Sequence, residues 1–173
     1  VDYHSPEDGI LGAVFGADAV AAFASFRVEG RFNEMHAFEH ELWRSLADPV
    51  ATLDGAVRKQ YRAVIDAIGT RALVTLGNVD APATWDLMAP DQLRVRDGEV
   101  VDLDGLRIGF VAGGALRRPV PGDPWAYFER THGAYRSLVA ELGEVDVPCT
   151  HVPPDIENLR HGVAAQRKET HGP

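Results

Sequence analysis

Leu73-Val74-Thr75-Leu76-Gly77-Asn78-Val79-Asp80 is the stretch on which the fold reading turns. An apolar run of Leu and Val stops abruptly at Gly-Asn-x-Asp. In α/β proteins a buried strand that releases polar side chains at its C-terminal end is a common way to present a site. The run therefore predicts a buried strand over residues 73–76 with a polar, site-bearing loop behind it.

Upstream of this stretch the pattern is helical. One helix is predicted over residues 17–29, with Val20, Phe23 and Phe26 on one face and Gly30 as its stop. A second covers residues 32–46, with Met35, Phe38, Leu42 and Leu46 in register, stopped by Asp48-Pro49. A third covers residues 53–68, with Val57, Tyr61, Val64 and Ile68 as its buried stripe and Gly69 as C-cap. Downstream the texture changes. Ala81 to Met88 is a loop or short helix around Trp85. Strands are predicted over residues 92–95, 99–103 and 106–111. Asp104-Gly105 is the two-residue hairpin turn between the last two, because glycine tolerates the positive φ of a type I′ turn. Gly113-Gly114 ends the third strand. A long helix follows over residues 125–142, opened by Asp123-Pro124. A short strand over residues 145–149 then leads into Thr150-His151-Val152-Pro153-Pro154. From Arg160 the sequence is polar and loses periodicity, which predicts a flexible tail over residues 160–173. The whole reads as mixed α/β (α+β), one domain over residues 1–173 with a helical region at 10–69.

Composition narrows the function classes. The chain has 173 residues, 45% of them hydrophobic and 25% charged, values of an ordinary globular protein with a real core. A formal charge of −9 argues against a nucleic-acid surface, which needs a positive footprint. No apolar run approaches the ~20 residues that span a bilayer. Cys149 is the single cysteine, so no disulfide forms within the chain, and a reducing, cytoplasmic setting is expected.

Two predicted strands end in side chains that bind metals, at Asn78 and at His151. Neighbouring parallel strands present their C-terminal ends at one edge, so an amide oxygen and an imidazole nitrogen can meet on one cation. The prolines after His151 stiffen the turn that holds its ring. Other candidates are weaker. His36 and His40 share one helical face, but Ala37 stands where a zincin pattern needs Glu, so they read as a surface pair. Arg117-Arg118 is a candidate phosphate contact, since guanidinium forks match phosphate oxygens. Cys149 reads as a small core residue. No Gly-x-Gly-x-x-Gly opens a helix, which disfavours a nucleotide-binding domain.

On Leu76-Gly77-Asn78-Val79-Asp80, the hairpin arm from Leu103 to Gly114 and Cys149-Thr150-His151-Val152-Pro153-Pro154-Asp155, the chain resembles the calcineurin-like metallophosphoesterases. The resemblance covers residues 72–159, and residues 27–43 are similar to the helical insert of some bacterial members. It implies a partial calcineurin-like αββα sandwich, with Asn78 and His151 as ligands of the second metal of a dinuclear centre and Asp80 bracing the loop. It implies divalent cations (Mn, Fe, Zn or Mg), a small-molecule phosphoester substrate, and hydrolysis by metal-activated water.

The chain also departs from that pattern. Val79 replaces the usual His of Gly-Asn-His-Asp. Asp2-Tyr3-His4 matches Asp-x-His in letters alone, with no strand before it to deliver it. No Gly-Asp pair precedes Asn78, and His161-Gly162 and His171-Gly172 have the wrong order for the closing Gly-His-x-His. The expectation is an internal piece of a longer enzyme, truncated at both ends, with an incomplete dinuclear site and little phosphatase activity. Open sheet edges would favour a homo-oligomer. The alternative expectation is a non-catalytic relative that keeps the scaffold and binds a partner.

Overall fold

The computed structural model describes residues 2–5, 9–116, 128–152, 161–163 and 168–170. The chain divides into two compact units, Val1–Ala67 and Ile68–Pro173.

The first unit is helical: α1 (Ile10–Phe15), α2 (Ala17–Val28), α3 (Phe32–Arg44) and α4 (Pro49–Ile68). Gly16, at φ 86°, makes the break between α1 and α2 that an L-side chain would resist. Leu11, Val20, Phe23 and Met35 form a buried cluster, with Phe15, Phe26, Phe32, Phe38 and Leu42 packed against it. Leu53, Val57 and Tyr61 are the buried stripe of α4, whereas Val64, expected in that stripe, is exposed. Asp48-Pro49 does not stop α3, which ends at Arg44; it opens α4. The Asp48 carboxylate accepts from the Ala51 N–H at 2.9 Å, and Pro49 occupies the first turn, where a missing N–H is no loss.

The second unit mixes helix and strand. After α5 (Pro82–Met88) and a 3₁₀ turn at Asp91–Leu93 come β1 (Glu99–Leu103), β2 (Leu106–Val111), β3 (Gly114–Leu116) and β4 (Glu129–Thr131). Then follow α6 (His132–Glu141), β5 (Val147–Thr150), β6 (His161–Val163) and β7 (Lys168–Thr170). One three-stranded sheet has the order β1-β2-β5, with β1 antiparallel and β5 parallel to β2. β3 pairs parallel with β4, and β6 antiparallel with β7, within the segment where the sequence has no periodicity. The hairpin turn is the expected one: Asp104 and Gly105 have φ 53° and 86°. Val111, Tyr135 and Leu142 make a core between sheet and helix, joined by Leu138, Val145 and Val152. This is the mixed α/β class expected. Among the described residues, no helix is long and apolar enough to cross a membrane.

Three predicted elements differ. Residues 73–76 do not form a ladder strand: one parallel bridge joins Val74 to Val95, and Leu73 is exposed while Leu76 is buried. The first half of the predicted strand over residues 92–95 belongs to the 3₁₀ turn, and Val95 keeps the single bridge. Pro90 O accepts from Leu93 N and Asp91 O from Arg94 N, so the chain meets Val74 only past this turn, where Arg96 N donates to Val74 O at 2.7 Å. The long helix starts at His132, not near Trp125. Thr131 is its N-cap, its hydroxyl accepting from Ala134 N at 3.1 Å, and Glu129–Thr131 is strand. The predicted cap at Asp123-Pro124 lies outside the described residues. Gly113-Gly114 closes β2 but also opens β3.

Candidate functional site

The loop after Leu76 is a closed turn. Gly77 N donates to Asp80 Oδ2 at 2.7 Å, and Asp80 N donates back to Gly77 O at 3.3 Å. The Asp80 carboxylate reaches back three residues to the Gly77 N–H and so closes the turn on itself. Asn78 is lifted between the two ends of this turn.

Backbone contacts pin the loop from both sides. Leu76 O accepts from Gly113 N at 2.8 Å, and Asn78 O accepts from Phe128 N at 3.1 Å. Phe128 O in turn accepts from Gly114 N at 2.8 Å. The approach is so close that a Cβ on Gly114 would stand 2.5 Å from Asn78 Cβ. Glycine at 114 is therefore a steric requirement of the site, not merely the end of a strand.

His151 arrives from β5. The register of β5 against β2 sets Thr150 beside Val111, so the next residue leaves the sheet at its edge. The turn is held by Thr150 Oγ1, which donates to Val152 O at 2.8 Å, and by the Tyr135 hydroxyl. That hydroxyl accepts from Val152 N and donates to Val111 O, both at 3.4 Å. Burial pushes the Tyr135 hydroxyl above its usual pKa, against the opposing pull of the Val152 N–H and Thr150.

Asn78 and His151 meet. Their Oδ1 and Nε2 atoms are 3.0 Å apart. The ring crosses over Gly77, where an added Cβ would lie 2.8 to 3.2 Å from Cε1, Nδ1 and Nε2. Both glycines of the loop region thus make room for the pair, one for each partner.

Three residues that sequence patterns did not single out complete the surroundings. Glu129 Oε1 lies 3.5 Å from Asn78 Nδ2. Asp97 accepts from Ala112 N at 3.0 Å and from Arg130 Nη2 at 2.5 Å, while Arg130 Nη1 donates to Ala112 O. The Arg130 guanidinium also covers the Phe128 ring at 4.5 Å. This clamp fixes β4, and with it Glu129, against the end of β2. A three-residue strand is too short for its period to register in sequence, so no signal was there to find. A recess of about 390 Å³, lined in part by Pro82, Asp86, Arg94, Asp97 and Phe128, adjoins the clamp.

Arg117, Arg118, Pro153 and Pro154 lie outside the described residues. His36 and His40 are exposed on α3, and Cys149 is a half-buried free thiol rather than a core residue. Asp2 takes the N–H groups of His4 and Ser5 in a local turn, and His4 stacks on Phe23.

Among the described residues, no three His, Cys, Asp or Glu side chains gather as a metal-holding group. Asn78 Oδ1 and His151 Nε2, however, have the spacing of adjacent ligands: donors about 2.1 Å from a cation at a right angle are about 3 Å apart. The pair therefore fits as two of a cation's ligands.

No family model and no curated protein matches the chain. A solved crystal structure is similar over 88% of this chain with 15% identity and a TM-score of 0.48. The chain spans 61% of that structure's length.

Proposed function

We propose that the Asn78–His151 corner is one arm of the metal site of a phosphoesterase, set in a calcineurin-like αββα sandwich. One observation carries this reading. Two side chains of metal-ligating type, 73 residues apart, are brought to 3.0 Å by two loops, one held by backbone contacts and the other by the Thr150 and Tyr135 hydroxyls. Asn78 and His151 would hold a divalent cation, and the Asp80 turn would keep Asn78 presented. When bound, such cations acidify water and neutralise charge on phosphoryl oxygens. The substrate would be a small phosphoester, in the cytoplasm.

The chain's own residues limit the activity. Two neutral donors hold a cation weakly, and Val79 cannot protonate a leaving group. We expect weak manganese binding and little turnover of p-nitrophenyl phosphate or its bis ester. Calorimetry with manganese tests the reading: Asn78→Ala and His151→Ala should each abolish the binding. Strong turnover that vanishes in His151→Ala would overturn the expectation of low activity. A second reading rests on the same contact, because Asn78 and His151 already satisfy each other as a hydrogen bond. On that reading the corner is structural and the protein a non-catalytic binding module. A stable folded chain that takes up no manganese decides for it.

A further inference from the structure

Glu129 gives the Asn78–His151 contact a direction. A carboxylate only accepts hydrogen bonds. The Asn78 atom that faces Glu129 Oε1 at 3.5 Å must be the NH₂ group, which leaves the amide oxygen to face His151. An amide oxygen also only accepts. The ring nitrogen 3.0 Å from it must then carry the proton. In the neutral ring Nε2 is therefore N–H, and Nδ1 is the bare nitrogen. We propose that Glu129 is a positioning residue: it fixes the orientation of the Asn78 amide and, through it, the tautomer of His151.

Three segments contribute one group each to this chain of fixed polarity. β4 supplies the acceptor that starts it, the Gly77–Asp80 turn supplies the amide, and the end of β5 supplies the ring. The Asp97–Arg130 clamp holds the strand on which Glu129 stands. The bare Nδ1 sits over Gly77, where a Cβ would be 3.0 Å away. Without Glu129 the amide can turn over, show its NH₂ to the ring and favour the opposite tautomer. The tautomer assignment holds with no cation present. Its consequence for metal binding rests on the phosphoesterase reading: a cation between Oδ1 and Nε2 would take the place of the Nε2 proton, which would move to Nδ1, and Glu129 would keep the Asn78 oxygen, and not its nitrogen, aimed where that cation enters.

Nitrogen NMR of the full chain, ¹⁵N-labelled at histidine and free of metal, reads this directly. It is recorded in alkaline solution, where a histidine ring is neutral. His151→Ala identifies the His151 signals. The wild type should show a protonated-type shift at Nε2 and a bare-type shift at Nδ1. Glu129→Gln keeps the shape but can donate as well as accept, so the two shifts should move toward each other while the unfolding transition stays in place. A wild type protonated at Nδ1, or a folded Gln variant with the wild-type pattern, overturns the assignment. Should the Gln variant not fold, Asn78→Ala removes the acceptor of the Nε2–H and should abolish the same bias; a retained bias overturns it. Manganese affinity is read separately. If the metal reading holds, Glu129→Gln weakens it about 10-fold or more. A wild type that takes up no manganese yet keeps the Nε2–H tautomer defeats the phosphoesterase reading and leaves the role of Glu129 standing.

Discussion

Two glycines decide whether Asn78 and His151 can touch, and they fail differently when filled. A methyl at Gly77 would meet the end of an exposed side chain. The ring can swing out, so Gly77→Ala should change folding stability by less than about 0.5 kcal/mol. It should still break the Asn78–His151 contact, seen as loss of the His151 tautomer preference and of any manganese binding. Wild-type behaviour on both counts would show that the ring does not lie over Gly77. A methyl at Gly114 would meet Asn78 at its Cβ, close to the backbone, where little can give. Gly114→Ala should cost about 1–3 kcal/mol in urea unfolding. Asn78 and His151 were legible in the sequence because each follows an apolar run that breaks off at a polar residue. Glu129 was not legible, because its role comes from facing Asn78 across 51 residues of chain.

Elements show the same division between local and distant causes. The hairpin was readable from Asp104-Gly105 alone, since the turn chemistry is complete within two residues. The start of α6 was misread because Asp-Pro at 123–124 is a strong helix opening, while Thr131 is an equally good cap nearer the helix. The strand expected at residues 73–76 is reduced to one bridge with Val95, because Asp91–Leu93 just before it are wound into a 3₁₀ turn. β4 depends on the Asp97–Arg130 clamp. Asp97→Ala leaves the guanidinium and the Ala112 N–H without their carboxylate, which should cost about 1–3 kcal/mol. Hydrogen exchange should then quicken in β3 and β4 and stay slow across the β1–β2 hairpin. Uniform loss of protection would refute a local role for the clamp.

At the scale of the molecule, the contacts divide the chain at Ala67–Ile68, close to the end of the helical region read at residues 10–69. That boundary was visible as a change of period. The sheet order was not, because the β2–β5 pairing joins residues separated by β3, β4 and α6. Among the described residues, β1 and β5 each pair on one side only, and Val100 and Leu103 on the edge strand β1 are exposed. Sedimentation should show self-association that rises with concentration, and Val100→Lys should shift it to monomer. An unchanged profile in that variant would place the association elsewhere. Stability should also fall in alkali. The buried Tyr135 hydroxyl ionises at a higher pH in the folded chain than in the unfolded one, whose ordinary value is 10.0. Its stabilisation is complete below that value and is lost as pH rises through the folded pKa. Tyr135→Phe should be flatter over this range in unfolding measured against pH. A slope equal to the wild type's would assign the alkaline loss to another group.

The indole of Trp85 has a consequence of its own. It is buried, and its N–H donates to Leu93 O at 3.0 Å, so the ring is shielded from water and its one polar atom is occupied. Its helix follows directly on the Gly77–Asp80 turn. Once Trp43 and Trp125 are replaced by Phe, Trp85 is a built-in fluorophore that needs no label. Its emission lies to the blue while the helix stays packed, and anything that pulls on Asn78 hard enough to shift that helix becomes a colour change read in a cuvette.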